Sequence, residues 1–462
     1  MFRKLLYTIL LLPLLFSTLP AEIIYEERFD GAADGTALEK LGWTIKSSPE
    51  KSSYFIKDGK LRVECFPSPG LQGGYAEIDI PLCRKGVLEF DLNSDSDSSK
   101  PGTCLVMDLY NISIFWHDYC KDWRRYFPEP VSKRMKYFHV EPVGHRRISE
   151  VVKNKWSHYK IYFDMDKDRV EYYKDNMDDP AFIDGNVPIW GRSEYLGGKL
   201  RLGNWGIAAG KVSFLVDNIK LTSLDKESES NSAKTPRDRI LLFNGLSFER
   251  YNIKQILSKN GVPGNMIKEF NILNPRPALT PKNNFQSDIL PSAQTTMSTK
   301  CFVMIDYPFG PGEVVPDCVV KDIVENVKAG ARLVIFGGLF SLGKGEYGQS
   351  ILAEYLPVKI NTQWDIGKCE KPLPLHTAAP GKFTGLEEDA APFVFYMHNL
   401  EITKDANVLL KAGERPLLVS RKVGDGEILV FLGTSCGLRE KGFMPFWEWP
   451  GWSKLATQII TE

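Results

Sequence analysis

With 462 residues, 43% of them hydrophobic and 25% charged, the chain has the composition of a globular protein and room for more than one domain. Its 58 Lys and Arg balance 58 Asp and Glu, so the formal net charge is +0 and no general attraction to nucleic acid is built in. Aromatic residues reach 12%, with 10 Trp, which suits either a β-sandwich core or a surface that stacks on sugar rings.

Residues 1–21 read as a secretory signal: Arg3 and Lys4 form the basic start, 5–16 the apolar centre and 17–21 the small-residue exit, with cleavage after Ala21. The apolar run is shorter than the roughly 20 residues a membrane helix needs. No later segment is apolar enough to span. The expectation is a secreted or periplasmic protein with no membrane span in the mature chain. Eight cysteines follow, Cys65, Cys83, Cys104, Cys120, Cys301, Cys318, Cys369 and Cys436. An even number in an exported chain permits disulfides, and their spacing fixes no pairing. No CxxC or Cys/His cluster points to zinc. Cys301 heads the apolar run Phe302-Val303-Met304-Ile305 and reads as a buried thiol.

From residue 22 to 225 short β-type runs alternate with turn residues: 23–29, 54–56, 60–65, 76–80, 86–92, 103–110, 111–116, 156–164, 169–174, 198–204 and 212–221. Many strands at short spacing without a helical period predict an antiparallel jelly-roll sandwich. The stretch 115–155 is an aromatic and basic insertion. Within it Trp116, His117, Trp123, Arg124 and Tyr126 are candidate ligand-binding residues, because aromatic faces and Arg forks suit sugars. Residues 225–239, DKESESNSAKTPRDR, are polar and contain Pro, and read as an exposed linker. The domain plan is therefore signal 1–21, sandwich 22–225, linker 226–238 and a second domain 239–462, the two domains folding independently.

In the second domain buried strands at 240–243, 266–273, 301–306 and 332–336 alternate with helices at 252–259 and 319–329, followed by a hairpin over 417–432 and a helix at 452–460. Continuous apolar strands between helices predict a doubly wound parallel sheet of flavodoxin-like type, so the fold class is all-β plus α/β. The strand at 332–336 runs into Gly337-Gly338-Leu339-Phe340-Ser341, a turn with the form of a nucleophile elbow.

Three patterns carry a resemblance in the first half. They are Glu26-Glu27-Arg28-Phe29-Asp30-Gly31, the run from Trp156 to Asp164 with Val170 to Asp175 after it, and Val216-Asp217-Asn218-Ile219-Lys220-Leu221. Together they resemble the concanavalin A-like lectin/glucanase sandwiches, including laminin-G-like domains. That resemblance implies the fold, carbohydrate binding, and a structural calcium between the first and last strands with Glu27 and Asp217 as ligands. Glu77-Ile78-Asp79 begins like the catalytic strand of laminarinase-type hydrolases and puts both carboxylates on one face. Pro81 and Leu82 stand where the third carboxylate belongs, and retaining hydrolysis needs a carboxyl pair about 5 Å apart.

The second half resembles the class I glutamine amidotransferase-like fold of the exported, uncharacterised type. The residues that carry it are Leu290-Pro291, Phe302 to Pro308, Gly337-Gly338, Ser341 to Tyr347, Leu356-Pro357-Val358, Gly424 to Val430 and the Trp-rich 446–452. A working amidotransferase needs a Cys at the elbow and a His-Glu pair after a late strand. Here Gly337, Gly338, Leu339, Phe340 and Ser341 form a degenerate elbow, and Gly433-Thr434-Ser435-Cys436-Gly437 follows the late strand without a His. His376 and His398 lie elsewhere, Cys436 is on the wrong element, and no catalytic residue is assigned. The sequence points to an exported, non-catalytic binding or assembly protein with polysaccharide or glycan as ligand and a protein partner at the second domain. A secreted carbohydrate-active enzyme, with its site in 115–155 or at the domain junction, is the second reading. A structural envelope component is the third.

Overall fold

A computed structural model of the chain describes residues 21–47, 52–66, 74–94, 104–109, 112–117, 122–126, 147–150, 154–167, 169–178, 180, 182–184, 198–205, 212–225, 237–273, 286–287, 290–309, 315–384, 386, 392–435, 437 and 440–462. The signal read at 1–21, but for Ala21, and most of the linker lie outside them.

The first-half strands are β1 Glu22–Glu27, β2 Thr44–Lys46, β3 Ser52–Lys57, β4 Lys60–Cys65, β5 Tyr75–Asp79, β6 Lys85–Ser94, β7 Cys104–Leu109 and β8 Ile112–His117. They continue with β9 Asp122–Tyr126, β10 Arg147–Glu150, β11 Ser157–Asp164, β12 Arg169–Lys174, β13 Phe182–Asp184, β14 Lys199–Trp205 and β15 Val212–Ser223. One sheet runs β13-β12-β11-β6-β15-β4-β3, with β1 added on β15, and the other runs β10-β9-β8-β7-β14-β5-β2. Every pairing in both is antiparallel. Alternation explains the packing. Leu88, Phe90 and Leu92 of β6 and Tyr159, Ile161 and Phe163 of β11 point inward and meet Ala76, Met107, Leu109, Leu200 and Leu202 of the other sheet in one apolar cluster. Phe90 and Tyr159, directly opposite across β6 and β11, stack with ring centroids 5.4 Å apart. The expected sandwich is present. The sequence reading lacked β2, β9, β10 and β13, which are short or sit in the polar insertion.

The second half holds β16 Arg239–Asn244, β17 Ile267–Leu273, β18 Gln286–Ser287, β19 Thr299–Ile305, β20 Arg332–Gly337, β21 Val358–Lys359 and β22 Ile366–Thr377. After them come β23 Phe393–His398, β24 Glu401–Ile402, β25 Asn407–Ala412, β26 Arg415–Val423 and β27 Gly426–Thr434. Its helices are α1 Phe248–Tyr251, α2 Ile253–Lys259, α3 Ala293–Met297, α4 Asp317–Lys328 and α5 Trp452–Thr461. The large sheet runs β18-β17-β16-β19-β20-β27-β23-β22-β25-β26. Its strands β17, β16, β19, β20 and β27 pair in parallel, and α2 packs on α5 while α3 packs on α4. Beyond β27 all pairings are antiparallel, and β26 pairs back onto β27 so that these five strands close on themselves. This antiparallel extension was not expected beyond the hairpin. Its strand β22 contains Pro372 and Pro374 and breaks register between Lys368 and Leu373, which hides it from a pattern search.

The halves meet through a buried ionic contact. On β12 the inward residues Val170 and Tyr172 serve the sandwich core, so Arg169, Glu171 and Tyr173 face outward. Arg169 is nonetheless 0% exposed. Its Nε donates to Glu171 Oε1 at 2.5 Å, Nη1 to Asp322 Oδ2 on α4 at 2.7 Å, and Nη2 to the Pro291 carbonyl at 3.1 Å. The N–H of Ala293, which opens α3, donates to Glu171 Oε1 at 2.9 Å, and the Tyr173 hydroxyl bonds to the other carboxylate oxygen. Lys167 reaches Asp322 at 2.9 Å and Glu325 at 3.2 Å. Asp322 and Glu325 are three apart on α4 and share one face. Ile183 of β13 joins the apolar core of the second half.

Candidate functional site

The five candidate residues of the aromatic insertion do not form one group. Register sets Trp116 opposite Trp123 and Ile114 opposite Arg125, in line with Leu105 and Met107 on β7. Met107 is fully buried, so this is the face of the sheet that carries the sandwich core. His117, Arg124 and Tyr126 fall at the alternate positions. The cross-strand rows Glu77–Arg201–Asp108–Ser113–Tyr126 and Tyr75–Gly203–Val106–Phe115–Arg124 put Tyr126 and Arg124 in register with Glu77 and Tyr75, while His117 pairs with Cys104 and Asp122. Residues 118–121, 127–146 and 151–153 of the insertion lie outside the described residues.

On the described part of the outer face Arg201 Nε donates to Glu77 at 2.9 Å, and its guanidinium lies 4.9 Å from the centre of the Tyr75 ring. Lys199 bridges Glu77 and Asp79, 3.0 Å from each. Both carboxylates thus share a face, as alternation requires. Burial tends to raise the Glu77 carboxyl, but Lys199 and Arg201 outweigh it and hold it below its ordinary range. A carboxylate held ionised by two cations is a poor general acid.

The residues that the resemblance offers to calcium do not fit that ion. Asp217 Oδ2 accepts from Lys60 Nζ at 2.7 Å and Oδ1 from the Asn218 N–H at 2.9 Å. Glu27 stands beside Trp43 and Tyr25, and burial holds its carboxyl above the ordinary range despite them. A lysine already neutralises the one acid, and burial works against charge on the other. Among the described residues no cluster of three or more His, Cys, Asp or Glu could hold a metal.

The second site lies at the C-terminal edge of the parallel strands. There β20 ends in Gly337-Gly338, and their requirement for glycine is one of space. Neither takes a positive φ. A Cβ on Gly338 would stand 2.1 Å from Asp306 Cγ, and one on Gly337 would meet Gly433 O and His398 Cδ2, each at 2.8 Å. Ser341, which is buried, ties the turn to itself: its Oγ accepts the Gly338 N–H at 2.7 Å and donates to the Gly338 carbonyl at 3.2 Å. Tyr251 locks the ends of β20 and β27 together by donating to Gly337 O at 2.6 Å and Gly433 O at 3.1 Å.

Three acid–base residues that the sequence reading passed over converge here. Asp306 follows β19 in a left-handed conformation, φ 47°, and is fully buried. Its Oδ1 accepts the Phe340 N–H at 2.6 Å. Burial raises its carboxyl above the usual range, with the Phe340 N–H and Ser247 pulling it back. His398 ends β23, and its Nδ1 lies 3.1 Å from Asp365 Oδ1, both side chains buried. The contact is within ion-pair range but poorly directed, so Asp365 Oδ1 and both imidazole nitrogens have no well-formed hydrogen bond, and the same holds for Asp306 Oδ2 and Ser435 Oγ. Asp365 Oδ2 accepts the Gly343 N–H at 3.1 Å. The expectation that no histidine stands across from the elbow is therefore corrected: His398 is brought there by the antiparallel strand β23, about 60 residues along the chain from Gly337, with no local signal to announce it.

No thiol completes this set among the described residues. Cys301 opens its strand at the opposite end, as the buried thiol that was expected, and burial pushes it up to about 12. Cys318, on α4, is pushed up to about 11 by burial. Cys436 lies outside the described residues.

No protein-family model matches the chain, and comparison with curated proteins finds no match. Among solved structures it is similar to a cytoplasmic protein from Salmonella typhimurium, at 18% identity and TM-score 0.37 over 48% of this chain and 97% of that one. It is also similar to a glycosyl hydrolase family protein from Mycobacterium fortuitum, at 14% identity and TM-score 0.30 over 43% of this chain and 99% of that one. A beta-1,3-glucanase from Mycobacterium marinum matches at 13% identity and TM-score 0.30 over 43% of this chain and 98% of that one. Likenesses this distant bear on neither ligand nor reaction.

Proposed function

We propose that this is an exported, carbohydrate-associated binding protein that is not a catalyst. Its sandwich, residues 22–225, presents glycan to the outer face of the β10-to-β2 sheet, and residues 239–462 form a degenerate amidotransferase-like module. The observation that carries the reading is the outer-face grouping of Arg201 with Glu77 and with the Tyr75 ring, on strands whose register continues through β7 and β8 to Arg124 and Tyr126. Aromatic rings beside fixed carboxylate and guanidinium groups are what sugar hydroxyls and ring faces pair with. The amidotransferase-like assignment draws on the five parallel strands, whose order in the chain's own sequence is 2-1-3-4-5. Its lack of activity draws on Ser341, whose hydroxyl is spent on Gly338 and is not presented to a substrate. Secretion or a periplasmic location rests on the N-terminal leader alone.

The test is a polysaccharide-retention screen with the full chain, scored for retardation and for released product. Retardation that is weakened by Arg124→Ala or His117→Ala, with no product, is the expected result. Product release, or retardation indifferent to both changes, would overturn the reading. Ammonia release from glutamine, abolished by Ser341→Ala, would overturn the non-catalytic assignment separately.

A further inference from the structure

The loop that closes the C-terminal edge of the parallel strands holds an ammonium group between two aromatic rings. Lys344 Nζ stands 4.5 Å from the centre of the Phe340 ring and 4.8 Å from that of Trp364. Both separations are within the range of a cation–π contact. Trp364 is 70% exposed, the most open of the exposed large hydrophobic side chains, so burial in a core does not account for its position. The same loop is fastened to the two buried acids: the Phe340 N–H donates to Asp306 and the Gly343 N–H to Asp365. Beside Asp365, with Nδ1 3.1 Å from its Oδ1, stands the imidazole of His398, whose nitrogens lack well-formed hydrogen bonds. Backbone strain gathers here as well, with Asp306, Leu342 and Glu346 all at positive φ.

We propose that Phe340 and Trp364, over the Asp306–His398–Asp365 cluster, form a binding site for a small organic cation of the alkylammonium class, and that Lys344 occupies it in the free protein as an internal stand-in. Two independent features select that chemistry. An aromatic pair attracts a cation through its ring faces. Two carboxyl groups fastened to the same loop, Asp306 through the Phe340 N–H and Asp365 through the Gly343 N–H, favour positive charge over neutral or anionic ligands. Lys344 sits on a long flexible stem and can swing into solvent when a ligand cation replaces it. The site is separate from the glycan face of the sandwich.

The experiment is calorimetric titration of the full chain with choline chloride at constant ionic strength, using the neutral isostere 3,3-dimethylbutan-1-ol as control. Wild type is expected to bind choline weakly. Lys344→Ala should bind it about tenfold more tightly, the scale of one cation–π contact relieved. Lys344→Ala/Trp364→Ala should lose that gain, and Lys344→Ala/Asp306→Asn should reduce it. Lys344 and Trp364 are surface positions, and circular dichroism checks that their variants keep the fold. Equal binding of choline and the alcohol, or no gain from Lys344→Ala, would refute the proposal and leave Lys344 as a shield for the rings.

Discussion

The contact between the halves makes a prediction whose size can be worked out. Asp322→Ala removes the 2.7 Å partner of Arg169 Nη1 and leaves a guanidinium with no solvent access. Nε keeps Glu171 and Nη2 keeps the Pro291 carbonyl, so the charge is under-compensated, not abandoned. Burial pulls Arg169 towards deprotonation, and Glu171 and Asp322 together more than offset it, so the residue stays charged when one acid is lost. Breaking a buried pair from one side costs about 3–5 kcal/mol, and the surviving bonds put this case near 3. Glu325→Ala removes a carboxylate that is largely exposed and should cost less than about 1 kcal/mol. The double change Arg169→Met/Asp322→Leu should recover most of the loss, because an apolar pair of similar volume needs no compensation. Urea denaturation measures the stabilities. Gel filtration after proteolysis of the linker, residues 226–238, measures the contact directly. Wild-type fragments should co-elute and the Asp322→Ala fragments should separate. The reasoning fails if the wild-type fragments part on cleavage, or if Asp322→Ala costs no more than Glu325→Ala.

Three further outcomes follow from the same geometry. Gly338→Ala should destabilise by about 1–3 kcal/mol through overpacking against Asp306. Asp306→Gly should relieve that clash in the double variant, because it removes the side chain and suits φ 47°, whereas additive losses would show the clash is not with Asp306. The folded-state carboxyl of Asp306 is raised, so its contribution to stability is complete below the unfolded value of about 3.9 and is lost as pH rises through the folded value. The stability of wild type relative to Asp306→Asn should therefore fall as pH rises above about 4; a difference that stays flat means the carboxyl is not perturbed. Trp116→Ala and Trp123→Ala, in cross-strand register with Leu105 of β7, should lower stability by about 3–5 kcal/mol in thermal or urea melts, while Arg124→Ala should leave stability within about 0.5 kcal/mol; the reverse pattern would contradict this register.

What could be read from sequence follows the range of the interactions. The parallel strands β16, β17, β19 and β20 and the helix α4 were found to within a few residues, because each is a continuous apolar run or a helical stripe whose signal is local. The turn at Gly337-Gly338 is marked for the same reason, since it closes that strand. The acid–base cluster was not. Asp306, Asp365 and His398 come from three separated segments, and nothing around His398 marks it except its place at the end of β23, a strand whose partner β22 is broken by prolines. The aromatic insertion shows the same limit in another form: composition flagged Trp116, His117, Trp123, Arg124 and Tyr126 together, and only cross-strand register separates them onto two faces.

The Arg169 contact also decides which face of the sandwich is open to a ligand. The outer side of β12 carries Arg169, Glu171 and Tyr173, and α3 and α4 lie against it through Ala293 and Asp322. Ile183 on the neighbouring β13 is drawn into the core of the second half. A long glycan cannot cross this end of the β13-to-β3 sheet without displacing a buried guanidinium from two carboxylates. The outer face of the other sheet carries no such contact among its described residues, and its half-buried cations Arg201 and Lys199, which hold the buried Glu77, offer donors with which sugar hydroxyls can exchange. If the two halves are held as one body by Asp322, loosening that contact should leave glycan retention unchanged while it lowers stability. Asp322→Ala is therefore expected to elute from a polysaccharide column where wild type does. A loss of retention in Asp322→Ala, with Arg124→Ala unaffected, would move the ligand face to the junction between the halves.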